Sequence, residues 1–222
     1  MALIMTRDAL LRPANRRKWL ISLAALCLGG VAIWSMHFIG MMAWDMEDMD
    51  MNYNGWLTGF SLVVGVGVVY IGLAYMTTGQ YSYAKLIGSG ILVGLGVVAM
   101  HYSGMLSMQI QADAHWDWLL VIASVIIAVV AATAALWLAV HVQHYWQMAL
   151  SALIMGIAVC GMHYTGMAAV TFVHNPSLPV VQSMSVTSSV FSLSVLTMDT
   201  LVMVLAMAQA LSEANQRKAS SV

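Results

Sequence analysis

Six apolar runs, at roughly 18–43, 57–78, 84–109, 117–140, 147–172 and 187–210, fill most of this 222-residue chain and are joined by short connections. Each is long enough to cross a bilayer, which takes about 20 mostly apolar residues at a rise of about 1.5 Å per residue. Within lipid, backbone N–H and C=O groups must be satisfied inside the chain, so helix is the expected form. Only 8% of the residues are charged, against about a quarter in a soluble domain. The exterior must face lipid, and the expected fold class is an all-α membrane protein with six transmembrane helices. The first run has the basic start of a signal peptide, but its uncharged stretch continues from Trp19 to Trp44. That is too long for a cleaved leader, so it reads as a retained helix.

Charge placement sets the orientation. Arg7, Arg12, Arg16, Arg17 and Lys18 precede the first run, Lys85 lies between the second and third, and Arg217 and Lys218 follow the last. With both termini in the cytoplasm (N-in, C-in), all eight bases fall on the inner side, as the positive-inside rule requires. The acids Asp45, Glu47, Asp48, Asp50, Asp113 and Asp117 then lie on outer segments. No basic surface remains that suits nucleic acid. The expected divisions are a basic cytoplasmic N-terminus at 1–17, a membrane domain at 18–210 and a cytoplasmic tail or linker at 211–222. Cys27 and Cys160, both within apolar runs, give no disulfide framework and read as small buried side chains.

Within this frame one hexapeptide is written three times: Met36-His37-Phe38-Ile39-Gly40-Met41, Met100-His101-Tyr102-Ser103-Gly104-Met105 and Met162-His163-Tyr164-Thr165-Gly166-Met167. The histidines are 64 and 62 residues apart, so the repeat unit is a helical hairpin of about 63 residues, at about 18–78, 84–140 and 147–210. Each copy falls in the outer part of an outward-running helix, about 5–15 Å below the outer boundary by helical rise. Gly30, Gly94 and Gly156 stand seven residues before their histidines, and Gly40, Gly104 and Gly166 three after. Small residues on one face let helices approach closely in lipid. The three motif faces are therefore expected to meet and bring the imidazoles together.

Positions i and i+4 are neighbours on a helix, which pairs His37 with Met41, His101 with Met105 and His163 with Met167. Thioethers are soft, neutral donors that favour Cu(I), and imidazole accepts copper in either oxidation state. Zinc is a weaker match, since its usual ligands are Cys, His and carboxylate. Neutral ligands also avoid burying several anions in lipid. Copper is the expected cofactor, and Met36, Met100 and Met162, rotated about 100° away, are candidates for a secondary site. So are Met46, Met49 and Met51, interleaved with acids in the loop after the first helix. The structural alternative is a set of buried histidines that lock helices together by hydrogen bonds, with methionine as filler.

The pattern, and above all the third copy with its Met-His-Tyr-Thr, resembles the MHYT family of bacterial membrane sensor domains over essentially residues 18–210. The resemblance implies a multi-pass domain of the cytoplasmic membrane, proposed to bind copper and to sense oxygen, carbon monoxide or nitric oxide. It implies ligation by His37, His101 and His163 with the flanking methionines. It also implies a cytoplasmic signalling output, often an enzyme that makes or degrades cyclic di-GMP, and no catalytic role for this chain itself. The first copy departs from the pattern with Phe38-Ile39, against a mechanism that needs three equivalent tyrosines.

Asp199, the one acid in the middle of a span, is a candidate proton relay, or else a neutral acid bonded to nearby hydroxyls. It is expected some 18 Å down the last helix, deeper than the histidines. His115 and His174 lie on outer loops. His141 and His144 sit at the inner end of the fourth helix, where an interfacial belt is the simpler reading. The expected function is a copper-holding membrane sensor of a diatomic gas or of redox or copper status, with the lipid bilayer and a cytoplasmic output as partners and a homodimer as one assembly. The alternatives are a copper transporter or delivery protein, which needs donors along the whole path, and a membrane oxidoreductase acting with haem.

Overall fold

A computed structural model describes residues 1–44, 51–178 and 184–220, apart from the side chains of 217–220. Seven helices are described: α1 (Ala2–Leu10), α2 (Ala14–Met42), α3 (Gly55–Met76), α4 (Tyr83–Leu106), α5 (Trp118–His141), α6 (Tyr145–Ala168) and α7 (Ser188–Ser220). Helices α2 to α7 are each long and apolar enough to cross a membrane. The protein is an all-α, multi-pass membrane protein.

Polar residues start the spans where the apolar runs begin. Asn54 Oδ1 accepts from the Leu57 N–H, Ser82 Oγ from Lys85, and Asp117 Oδ1 from Leu119 and Leu120. These caps satisfy N–H groups that a helix leaves open in its first turn. On α5 the two faces separate cleanly. Leu119, Ile122, Ile126 and Val130 are exposed to the lipid, and Ser124, Ala128, Ala132, Leu136 and Ala139 are buried against neighbouring helices. Sequential spans pack side by side from α2 to α6, and α7 returns to lie on α2 while making little contact with α6.

Helix α2 is not regular. Its middle, Leu26–Ser35, is π-helical, and the α-form resumes at Met36–Met42. Gly29 lies within this stretch, where a Cβ would stand 2.7 Å from the Gly65 carbonyl oxygen of α3. The two backbones therefore meet directly. Ser35 Oγ donates to the Gly30 carbonyl five residues back, at 3.2 Å. Periods of 3.6 and 4.4 residues give the same hydropathy run, so composition does not distinguish them.

Short strands in the outer connections take up backbone groups that the helices leave free. Strands β1 (Asn52–Asn54), β2 (Met108–Gln109) and β5 (Ser185–Thr187) form an antiparallel sheet in the order β2-β1-β5, with Tyr53 opposite Met108 and Val186. Strands β3 (Ala112–Trp116) and β4 (Val170–His174) pair from Ala112–His174 to Trp116–Val170. This pairing ends α6 at Ala168, before the expected 172.

The opposite face gathers both ends of the chain. The segment expected as a basic N-terminus carries α1, packed on α2, α5 and α7. Buried Arg7 donates to Asp8, to the Gln143 carbonyl and to the Tyr145 hydroxyl. The tail expected from 211 continues as helix. There Glu213 is fully buried and accepts from Arg12, Arg16 and Gln209. With Arg7, Arg12 and Arg16 on this side, the face reads as cytoplasmic.

Candidate metal centre

Helices α2, α4 and α6 each deliver one imidazole to the bundle axis. His37, His101 and His163 are all buried, with ring centroids 4.6, 5.1 and 5.3 Å apart and planes 67–90° to one another. Their Nδ1 atoms face inward. His37 Nδ1 lies 3.0 Å from that of His101 and 3.1 Å from that of His163. Three nitrogens each about 2.0 Å from one ion stand about 3.3–3.5 Å apart, so the observed spacing is close to that of a shared ligand set. This is the one metal-competent group of His, Cys, Asp or Glu among the described residues.

The other face of each ring has a different neighbour. A Cβ placed on Gly40 would fall closer than 3.0 Å to His163 Nε2, one on Gly104 to His37 Nε2, and one on Gly166 to His101 Nε2. Real Cβ atoms essentially never stand that close. The glycine of each repeat thus seats the histidine of another, in a cycle of three. All three Nε2 atoms are buried without a hydrogen-bond partner among the described residues. A neutral imidazole has one N–H and one lone pair. With one lone pair or one N–H at its Nδ1, His37 makes a good hydrogen bond to only one of the two facing rings at a time. A cation at the centre would engage all three Nδ1 lone pairs at once. The residues therefore fit a bound metal.

The earlier glycines behave unequally. A Cβ on Gly94 would press on the Val129 backbone of α5, and one on Gly30 would make ordinary contact with Val66. At Gly156 it would meet open space, so the expected close approach is missing there.

Met41, Met105 and Met167 are buried one helical turn outward from the imidazoles. Among the candidates for a secondary site, Met100 packs against Gly65 and Met162 lines a cavity with Val159 and Leu73. Met36, next to His37 in sequence, is half-buried. The Met51 sulfur accepts a hydrogen bond from the Tyr53 hydroxyl. Burial pushes that hydroxyl well above its ordinary pKa. Met46 and Met49 lie outside the described residues. His115 and His174 are exposed on β3 and β4, while His141 stacks on Trp137 at the inner boundary.

The tyrosine position of the motif has three environments. Phe38 is buried against Trp34, Tyr53 and Phe191, the Tyr102 hydroxyl bonds Ser124 Oγ at 2.9 Å, and Tyr164 is exposed to lipid. Phe191 of α7 packs on Phe38, so the first copy has an apolar ring at this position. Asp199 on α7 accepts from Ser35 Oγ at 2.7 Å. Thr197 and Thr200 instead bond back along their own helix. A lone serine in an apolar run gave no signal for this contact.

Known proteins match this arrangement. The family described as "Bacterial signalling protein N terminal repeat", MHYT, matches three times, at residues 30–89, 94–152 and 156–221. MucR of Pseudomonas aeruginosa, a bifunctional diguanylate cyclase/cyclic di-GMP phosphodiesterase, is 36% identical over 75% of this chain and 24% of its own length. The signaling protein YkoW of Bacillus subtilis is 34% identical over 69% of this chain and 20% of its own. NbdA of Pseudomonas aeruginosa, a cyclic di-GMP phosphodiesterase, is 32% identical over 66% and 19%. The chain thus spans between about a fifth and a quarter of the length of these curated relatives. No solved structure matches. Three matched repeats, each with its histidine at the bundle axis, make this chain a member of the MHYT family of bacterial signalling proteins.

Proposed function

We propose that the chain is a membrane sensor domain that holds copper between His37, His101 and His163 and responds to a diatomic gas (oxygen, carbon monoxide or nitric oxide) or to redox state. The observation that carries this reading is the convergence of three buried imidazoles, with His37 Nδ1 3.0 Å from that of His101 and 3.1 Å from that of His163. Three imidazoles alone suit zinc or copper, and thioethers one turn away favour copper. Copper at that point would supply a redox-active centre open to a small ligand.

The chain's own residues supply the coupling. Each imidazole is wedged against the glycine of another helix, so a ring cannot turn without moving that helix. His37 sits just above the π-helical stretch, a form often found at functional sites. Ser35 ties the same helix to Asp199 on α7, and Glu213 ties the inner end of α7 to Arg12 and Arg16. Helix α7 therefore follows α2 at both levels. Relatives of this chain are named for cyclic di-GMP turnover, and we assign the same class of output to the pathway served here.

Transport is less well supported. Beneath the histidines the axis is lined by aliphatic residues such as Ile33, Val69, Val97 and Leu136. Met155 and Met162 are the only soft donors lining that cavity, and Met207 faces lipid. Protein in sealed vesicles separates the readings. Tight stoichiometric copper without flux, with a spectral change on adding nitric oxide or carbon monoxide, supports sensing. Copper flux across the membrane overturns it.

A further inference from the structure

The geometry points to an apolar gas-binding chamber directly beneath the histidine cluster, fed sideways from the bilayer between α6 and α7. Ile33, Val97 and Val159 each stand four residues before a motif histidine, so they lie one turn inward on the same face. All three line one cavity of about 50 Å³, closed off by Val69, Leu73 and Ala132 among others. That is ample for a diatomic molecule, since a single water needs only about 10–15 Å³. Among the described residues, no charged side chain lines it. Cavities with such walls stay dry and take up apolar gases such as xenon.

A second cavity, of about 480 Å³, lies beside it between α2, α6 and α7, with the start of α1 at its inner end. Leu28, Ile33, Met155 and Val159 belong to both walls, so one layer of side chains separates the two spaces. The outer cavity opens to the exterior of the bundle. Ala32, Ala149, Ala152 and Gly156 on its lining are all exposed, and α6 and α7 make little contact there. Small residues at these positions leave the gap unfilled. Oxygen, carbon monoxide and nitric oxide are all more soluble in hydrocarbon than in water. The bilayer is thus the richer reservoir, and the path runs from lipid through the outer cavity, past Val159 and Ile33, to the underside of the imidazoles.

This inference deepens the sensing reading and rests on it for the fate of the gas, but the cavities can be tested without metal. Xenon is the probe, located by anomalous scattering in pressurised crystals of the metal-free protein. Gly156→Phe plugs the outer cavity at a position where a side chain meets open space, and Ala132→Leu fills the inner one. Xenon is expected in both cavities of the wild type, lost from the inner one in Ala132→Leu and from the outer one in Gly156→Phe. In copper-loaded nanodiscs the carbon monoxide association rate is expected to fall about tenfold in each variant, with copper content unchanged. Absence of xenon from the wild-type inner cavity, an acyl chain filling the outer one, or unaltered association rates in both variants would overturn the inference. Xenon in both cavities of a protein that takes up no copper when copper is supplied would remove the sensing reading and leave the gas chamber standing.

Discussion

His163 Nε2 occupies the space in which a side chain on Gly40 would begin, although the two residues belong to the third and first repeats. His37 stands in the same relation to Gly104, and His101 to Gly166. A motif read along one helix, histidine then glycine three residues on, thus works between helices.

Alanine at these glycines should therefore break the cluster. A methyl group at Gly40, Gly104 or Gly166 must push an imidazole off the axis, and overpacking of this kind costs about 1–3 kcal/mol. Copper content should fall sharply in each variant, with a lower unfolding temperature in detergent. Gly156→Ala, whose methyl group meets open space, is the control and should be neutral or slightly stabilising. Metal analysis and thermal unfolding of the four variants check this.

Much of this arrangement was legible in residue order. Hydropathy located six spans, because the helix boundaries follow where charged and capping residues stop. The constant spacing of His37, His101 and His163 foretold a shared depth, and parallel repeats turned shared depth into convergence. Other features left no local trace. The π-helical stretch holds the close approach of Gly29 to Gly65, a contact between helices that hydropathy does not register. The strands run two to five residues and hold by pairing across loops, so no alternation announces them. Asp199 was visible as an unusual acid, but Ser35 as its partner was not. Glu213 looked like part of a polar tail until Arg12 and Arg16 closed around it.

The thioethers can be tested separately from the fold. Leucine nearly matches methionine in volume, so Met41→Leu, Met105→Leu and Met167→Leu should each cost less than about 1.5 kcal/mol in stability. The combined variant should hold Cu(I) more weakly than wild type while Cu(II) binding changes little. Competition with Cu(I) and Cu(II) chelators measures both. Equal affinities for Cu(I) would assign these methionines to packing alone.

Asp199 and Ser35 predict an asymmetric pair of variants. Asp199→Asn retains an oxygen that can accept from Ser35 Oγ, so it should leave stability and copper content close to wild type. Ser35→Ala removes the donor and leaves a half-buried carboxyl without its partner, at a cost of about 1–3 kcal/mol. Unfolding curves decide the order. If Asp199 relays protons, Asp199→Asn should also remove the pH dependence of the gas response.

At the inner face, Glu213→Gln removes the charge that Arg12 and Arg16 share. The inner turns of α7, around 206–216, should then open more often, and their amide hydrogens should exchange several-fold faster. Exchange around His101 on α4 should not change. Mass-resolved exchange on the two peptides gives the comparison.

The central claim is that three imidazoles from α2, α4 and α6 hold one copper ion. The most direct measurement is X-ray absorption at the copper edge, with metal content, on wild type and on the triple variant His37→Ala, His101→Ala, His163→Ala. The account predicts about one copper per chain in wild type, with three imidazole nitrogens at about 2.0 Å, and its loss in the triple variant. Equal copper in the two proteins, or a wild-type spectrum without imidazole scattering, would contradict it.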